Sequence, residues 1–245
     1  MIRIAAVGDV HAAPDRREPL RSAFASLDGG VDLVLLAGDL TTHGEPEQAA
    51  IVAQAAARSP APVVAVLGNH DLHVDRAEEV VAVLEEAGIA VLDRAACTFD
   101  VRGTSVGVVG TKGFVGGFPD SQLPDFGEAL LRRVYAETTE EVLALERGLA
   151  EIHACDVRIV LLHYSPTAAT LAGEPETIWT FLGSDRLAVP IAAHPPHIVL
   201  HGHGHAGTFR GAIGDVPVYN VAQPVIKRDF WIFELDGDCG RARPS

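Results

Sequence analysis

Cysteine, basic residues and long apolar runs are all scarce in this sequence, and each scarcity excludes something. Only three cysteines occur, Cys97, Cys155 and Cys239, odd in number and widely spaced. That pattern fits neither a disulfide framework nor a cysteine-rich zinc site, and a reducing cytoplasm is the compartment to expect. Lysine and arginine total 19 against 33 aspartates and glutamates, a net charge of −14. This balance has the wrong sign for holding a polyphosphate backbone by counterion release, so extended nucleic acid is not an expected partner. No window approaches the roughly 18 unbroken apolar residues of a membrane span, because charges, glycine or proline interrupt every apolar run. The chain passes from Met1 straight into Ile2-Arg3-Ile4-Ala5-Ala6-Val7, without the charged segment, apolar core and cleavage site of an export signal. There is no internal repeat and no low-complexity segment. The expectation is a soluble, cytoplasmic protein with no membrane partner; oligomeric state is left open.

The chain has 245 residues, 48% of them hydrophobic, enough to bury a substantial core as one domain spanning 1–245. Short β-branched runs alternate with longer Ala/Glu/Arg-rich stretches, which suggests α/β. Strands are expected at 2–7, 31–36, 62–67, 89–92, 97–101, 105–109, 157–162, 197–200, 208–211, 217–220 and 230–235. The clearest helix is 75–87, with Asp75 as cap, Glu78 three residues on, and Ala77, Val80, Val81, Leu84 and Ala87 at helical spacing before Gly88. A second is expected at 138–153, with Thr138 and Glu141 in capping-box positions and Gly148 weakening it by about 1 kcal/mol relative to alanine. The acidic cluster from Glu137 to Glu141 reads most simply as its solvated start. From Cys97 onward strands follow one another at hairpin spacing, with Gly103 and Gly214 at turns. Early βα units and a more β-rich later part suggest two mixed β-sheets packed face to face with helices outside. The Gly/Pro/Phe-rich stretch 110–127 is expected to lie over or beside the site.

The chemistry lies in where polar residues fall. Five apolar runs stop abruptly at Asp, Asn or His: Val7-Gly8-Asp9-Val10-His11, Ala37-Gly38-Asp39, Leu67-Gly68-Asn69-His70-Asp71, Leu162-His163, and Leu200-His201-Gly202-His203-Gly204-His205. In open α/β sheets the carboxyl ends of strands border the binding crevice, so separate segments can deliver side chains to one point. Taken alone, an Asp after a strand is more often a turn or capping residue, and a lone His more often a hydrogen-bonded core histidine; the conjunction changes the weight. Carboxylates, imidazoles and one amide without thiolate suit divalent Mn, Fe, Zn, Ni or Co. Asp9 with His11, and His203 with His205, are two residues apart, so in extended chain both members would project to one side. Asp39, with two oxygens to share, is the natural bridge.

The ordered series Asp9-x-His11, Gly38-Asp39, Gly68-Asn69-His70-Asp71, His163 and Gly202-His203-Gly204-His205 resembles the calcineurin-like metallophosphoesterase family, over the span from Asp9 to His205. The resemblance implies a four-layer α/β/β/α sandwich. It also implies two divalent metal ions, one held by Asp9, His11, Asp39 and His205 and the other by Asp39, Asn69, His163 and His203. The activity implied is hydrolysis of a small phosphorylated substrate, a phosphodiester, cyclic nucleotide or phosphomonoester, by attack of a metal-bridging hydroxide. His70, next to Asn69, is the expected general acid or phosphoryl donor. Many members of the family carry an acid three residues after the bridging Asp to orient that histidine; here Thr42 stands there, which leaves Asp71 and His43 as alternatives. His201 could sit behind a ligand or pair with a neighbouring strand. Lys112 could reach a substrate phosphate, an ordinary solvated lysine being the simpler reading. Trp179 and Phe181 are expected to pack, and His73, His153, His194 and His197 to be surface or packing residues. Two other readings remain in view: a nuclease of the same chemistry, and a non-catalytic metal-binding interaction module of the same fold.

Overall fold

In the computed structural model, residues 1–236 are described in full and Arg243–Pro244 by their backbone. Cys239 lies outside the described residues. In chain order the strands are β1 (Ile2–Val7), β2 (Leu33–Ala37), β3 (Val63–Val66), β4 (Ala90–Val91), β5 (Ala95–Val101), β6 (Thr104–Gly110), β7 (Val157–Leu161), β8 (Ile198–His201), β9 (Arg210–Ile213), β10 (Val216–Asn220), β11 (Trp231–Leu235) and the two-residue β12 (Arg243–Pro244). The α-helices are α1 (Arg17–Ala25), α2 (Pro46–Ala56), α3 (Ala77–Glu86), α4 (Ala129–Glu151), α5 (Trp179–Leu182), α6 (Ala188–Ala193) and α7 (Gln223–Ile226).

The strands form two mixed sheets. The first runs β11-β1-β2-β3-β4, extended beyond β11 by β12; the second runs β5-β6-β7-β8-β10-β9. β1 to β4 are mutually parallel, as are β6, β7, β8 and β10, while β11, β5 and β9 are antiparallel to their neighbours. The pleat explains the layers. Along β7 and β8, Val157, Ile159, Leu161, Ile198 and Leu200 point into a core shared with the first sheet, whereas Val160 and Val199 point outward, into a second core with α4 and α6. The central strands β2 and β3 are buried on both faces because helices cover the side away from the second sheet, which is why they read as unbroken apolar runs. The arrangement is α/β, with helices outside two facing sheets.

Two helix boundaries depart from expectation. α3 begins at Ala77, and Asp75 does not cap it; Asp75 sits at φ 57° in the turn before. α4 begins at Ala129, nine residues before Thr138, so there is no capping box. Thr138 lies inside the helix and its hydroxyl bonds the Val115 carbonyl at 2.6 Å. Glu141 is not solvated: it is 1% exposed and takes hydrogen bonds from Arg94 (3.0 Å), Gly113 N (2.8 Å) and the Thr111 hydroxyl. Gly148 has a packing reason, since a Cβ there would collide with Val109 Cγ2 on β6. Its low helix propensity is offset by the close approach of helix and sheet it permits.

Among the described residues no helix is long and apolar enough to cross a membrane.

Candidate metal centre

Five parallel strands, three from one sheet and two from the other, end at one crevice, and the backbone continues the pairing past them. Asp9 N bonds Gly38 O (2.9 Å), His11 N bonds Asp39 O (3.0 Å) and Gly202 N bonds His163 O (3.1 Å). These bonds set the Asp9 segment beside Asp39 and the His203 segment beside His163, and His203 N donates to Asp9 Oδ2 at 3.0 Å across the two. The expectation that Asp9-x-His11 and His203-x-His205 are extended is corrected here. Asp9 (φ 57°), His11 (φ 43°), Asp39 (φ 49°) and His203 (φ 69°) all adopt the left-handed region. For non-glycine residues this costs on the order of 1 kcal/mol each, and such conformations persist where surrounding bonds over-determine them. Here they turn the side chains back over the strand ends.

The result is two overlapping clusters. The ligand-type atoms of Asp9, His11, Asp39 and His205 lie within 4.8 Å of one another, and so do those of Asp39, His163 and His203. Asn69 joins the second group, its Oδ1 standing 3.0 Å from His163 Nε2. All seven residues singled out in the sequence therefore meet at one place, with Asp39 common to both groups. Glycine permits this at Gly68, where a Cβ would collide with Asp39 Oδ1, and at Gly38 (φ 80°), where it would lie 2.5 Å from the His163 ring.

Backbone carbonyls orient the imidazoles. His163 Nδ1 lies 3.0 Å from the Ala37 carbonyl and His203 Nε2 lies 3.1 Å from the Phe181 carbonyl. A carbonyl only accepts, so these nitrogens carry the protons and the opposite nitrogens present lone pairs to the centre. His163 Nε2 then faces Asp39 Oδ1 at 3.3 Å, two lone-pair-bearing atoms with no proton between them. Burial drives the His163 and His203 imidazoles down to about 3, so protonation does not relieve that contact. Burial also pushes the Asp9 carboxyl up to about 6, the His205 hydrogen bond working against it. His205 is raised by its 2.9 Å bond to Asp9, and His11 is lowered by burial.

Asp9 and Asp39 are 2% and 1% exposed, and their only side-chain ion-pair partners among the described residues are histidines. Two buried carboxylates, converging lone pairs and no lysine or arginine partner constitute an environment that divalent cations fit.

The neighbours of the centre are placed as follows. His70 is at the mouth: its backbone N–H donates to Asp39 Oδ1 (2.8 Å) and its Nε2 is 4.0 Å from Asp39 Oδ2. Its Nδ1 bonds the Thr42 main-chain carbonyl at 2.8 Å. Neither Asp71 nor His43 orients it. Asp71 is fully buried and takes four bonds, from Leu40 N (3.1 Å), Thr41 N (2.8 Å), the Thr41 hydroxyl (2.7 Å) and Gly68 N (2.8 Å), stapling the Asp39 loop to the Asn69 loop. His43 is exposed and stands against His73, ring centroids 5.9 Å apart. His201 is buried away from both clusters, bonded to the Thr170 hydroxyl and the Gly202 carbonyl, each at 2.8 Å. Lys112 is not an ordinary solvated lysine: burial lowers its pKa, and its ammonium lies 4.3 Å from the Phe114 ring centroid and bonds the Gly113 carbonyl.

Segment 110–127 lies beside the centre, with the Lys112 carbonyl accepting from His163 N and Tyr164 N. Trp179 packs on Phe118, but Phe181 is 60% exposed while its carbonyl holds His203. Tyr164, whose ring centroid is 4.5 Å from that of His203, had no signal in the sequence beyond its position after His163.

No curated protein sequence matches the chain. Solved structures do. A phosphopantetheinyl hydrolase from Mycobacterium tuberculosis superposes with a TM-score of 0.68 at 16% identity, over 91% of this chain and 90% of that one. The protein TT1561 of Thermus thermophilus gives 0.60 at 18%, over 100% and 98%. GAP50, the anchor in the inner membrane complex of Plasmodium, gives 0.62 at 12%, over 96% and 81%. At these identities the likeness is one of fold. The family profile of calcineurin-like phosphoesterases matches residues 2–207, from the first strand through the His203–His205 pair, and the chain belongs to that family.

Proposed function

We propose that the chain is a single-domain, two-metal phosphoester hydrolase acting on a small phosphorylated substrate. The observation that carries this reading is the pair of overlapping clusters sharing Asp39, built on buried carboxylates that have no lysine or arginine partner among the described residues. Asp9, His11, Asp39 and His205 would hold one divalent cation, and Asp39, Asn69, His163 and His203 the other. Bound there, such ions supply Lewis acidity toward phosphoryl oxygens and lower the pKa of coordinated water.

The chain's own residues do the rest. Asp71 fixes the two loops that carry Asp39 and Asn69. Ala37 and Phe181 fix the tautomers of His163 and His203 through their carbonyls. His70 is the group that moves a proton: held at Nδ1 by the Thr42 carbonyl, it presents Nε2 to the mouth, where it can protonate a departing oxygen or donate to the phosphoryl group. The Thr42 carbonyl fixes the ring's orientation without using a side chain.

The acidic balance argues against a strand of nucleic acid as substrate. The described cysteines, Cys97 and Cys155, are free, in keeping with a reducing cytoplasm. One structural neighbour is described as an anchor, a binding role on the same fold. The complete ligand set and the placement of His70 favour catalysis here.

His70→Asn is the test. With phosphomonoester, phosphodiester, cyclic-nucleotide and pyrophosphate panels under several metals, turnover is expected to fall by about 100-fold or more while metal content stays at wild type. Equal turnover would remove the proton-transfer role. Well-folded, metal-loaded wild type that hydrolyses none of the panel would defeat the hydrolase reading.

A further inference from the structure

The turn that carries Asn69 and His70 borders a cavity of about 660 Å³ that the reading above does not use. It lies between α3, the β4–β5 edge and the middle of α4. Leu67 and Leu72, which flank Asn69 and His70 in sequence, line it at the end nearest the centre. Leu72 shares a single helical turn with His70. Lys112 lines the cavity on the other side, and its carbonyl receives the N–H groups of His163 and Tyr164 at 3.1 and 3.0 Å. The cavity and the candidate centre thus share two stretches of chain.

Its chemistry is one-sided. Apolar side chains from α3, from β4 and from the residue after it, among them Val81, Val91 and Leu92, form its walls. Five carboxylates and two cations line it, a surplus of negative charge. Both cations are already engaged. Arg94 bonds Glu141 at 2.9 Å and pairs with Glu137, while the Lys112 ammonium bonds the Gly113 carbonyl at 3.0 Å over the Phe114 ring. An anionic group entering here meets more carboxylates than cations.

We propose that this cavity receives the leaving group of the substrate, and that the leaving group is an apolar-bodied alcohol, neutral or cationic rather than anionic. The inference rests on the hydrolase reading and narrows it. A departing oxygen protonated by His70 continues past Leu72 into apolar walls, where each buried methylene strengthens binding by about fourfold. An anionic tail is opposed by the surplus carboxylates.

The experiment compares phosphodiesters that differ only in the departing alcohol: methanol, octanol, a trimethylammonium-tipped octanol and a carboxylate-tipped one. With metal-loaded full-length protein, kcat/KM is expected to be at least about tenfold higher for the octyl and cation-tipped esters than for the methyl ester. The carboxylate-tipped ester should fall back to the methyl value or below. Ala82→Phe, on the exposed side of α3 where Ala82 lines the cavity, should lower the octyl value at least about tenfold and leave the methyl value within about twofold. Ala77→Phe serves if the first variant melts early. Equal values for methyl and octyl esters, or an octyl value unchanged in a folded cavity-filling variant, overturn the assignment while leaving the hydrolase reading intact. If no ester is hydrolysed, the hydrolase reading fails and the leaving-group assignment with it. An arm that needs no turnover uses 8-hydroxyoctyltrimethylammonium: saturable NMR shifts of the Ala77 and Ala82 methyls support the cavity, and their absence counts against it.

Discussion

The inner and outer halves of the candidate centre are held by different means. In the inner half, Asp39 and His163 are 1% and 0% exposed, and the carbonyls of Ala37 and Phe181 fix the tautomers of His163 and His203. In the outer half, His11 and His205 are 24% and 44% exposed, and His205 is steadied chiefly by its bond to Asp9. One half is pre-organised, with imidazoles that burial keeps neutral. The other is open at the mouth beside His70. The difference implies an inner cation held firmly and an outer one that exchanges more readily, because a ligand whose orientation is already fixed loses less on binding.

Asp39→Asn should have the largest effect, since it removes the carboxylate both halves share. Turnover is expected to fall on the order of a thousandfold, and elemental analysis should find well under two metals per chain. Two metals per chain retained in Asp39→Asn would contradict the bridging role.

Next in size is the contrast between His163→Ala and His205→Ala. The first empties a fully buried position and orphans the Ala37 carbonyl, and urea unfolding is expected to show a loss of about 3 kcal/mol. The second removes a half-exposed side chain and should cost under about 1 kcal/mol. In chelator titrations His163→Ala should release the tightly held metal and His205→Ala only the weaker one. Equal costs would erase the distinction between inner and outer.

The smallest effect is a difference in pH dependence, read from thermal melts of metal-free protein. Burial lowers His201, which is bonded to Thr170 and lies apart from both clusters, to about 4, so the folded state resists a proton that the unfolded chain accepts below about 6.5. Its share of stability is intact above about 6.5 and is lost as pH falls toward 4, by at most roughly 1.4 kcal/mol per unit. His201→Gln should flatten that decline. His205 is raised by Asp9, so its contribution has the opposite sign, present at about 6.5 and lost as pH rises through its higher folded value. His205→Gln should therefore matter less at alkaline pH than near neutrality. Slopes of the same sign for both variants would contradict the electrostatic contrast.

The candidate site was legible because its proposed ligands stop apolar runs. A buried strand that ends on Asp9 or His163 leaves a mark in the one-dimensional pattern, and the two sheets were legible for the same reason. What was hidden has no residue signature. The Thr42 carbonyl that holds His70 is main chain, and any residue at that position would supply it. The left-handed turns at Asp9, His11, Asp39 and His203 come from pairing beyond the strand ends, which periodicity does not report. The pairing of Glu141 with Arg94 spans 47 positions, and a local reading saw only the pattern of a capping box. Asp71 looked like a partner for the adjacent His70, whereas its carboxylate serves the backbone of two loops.

The most direct test is the number and place of bound metals. A crystal of the metal-loaded protein, with data collected across the absorption edge of the bound metal, should show two anomalous peaks on either side of Asp39, one toward His163 and His203 and one toward Asp9 and His205. A protein that hydrolyses phosphoesters with one peak, or with none touching Asp39, would contradict the account.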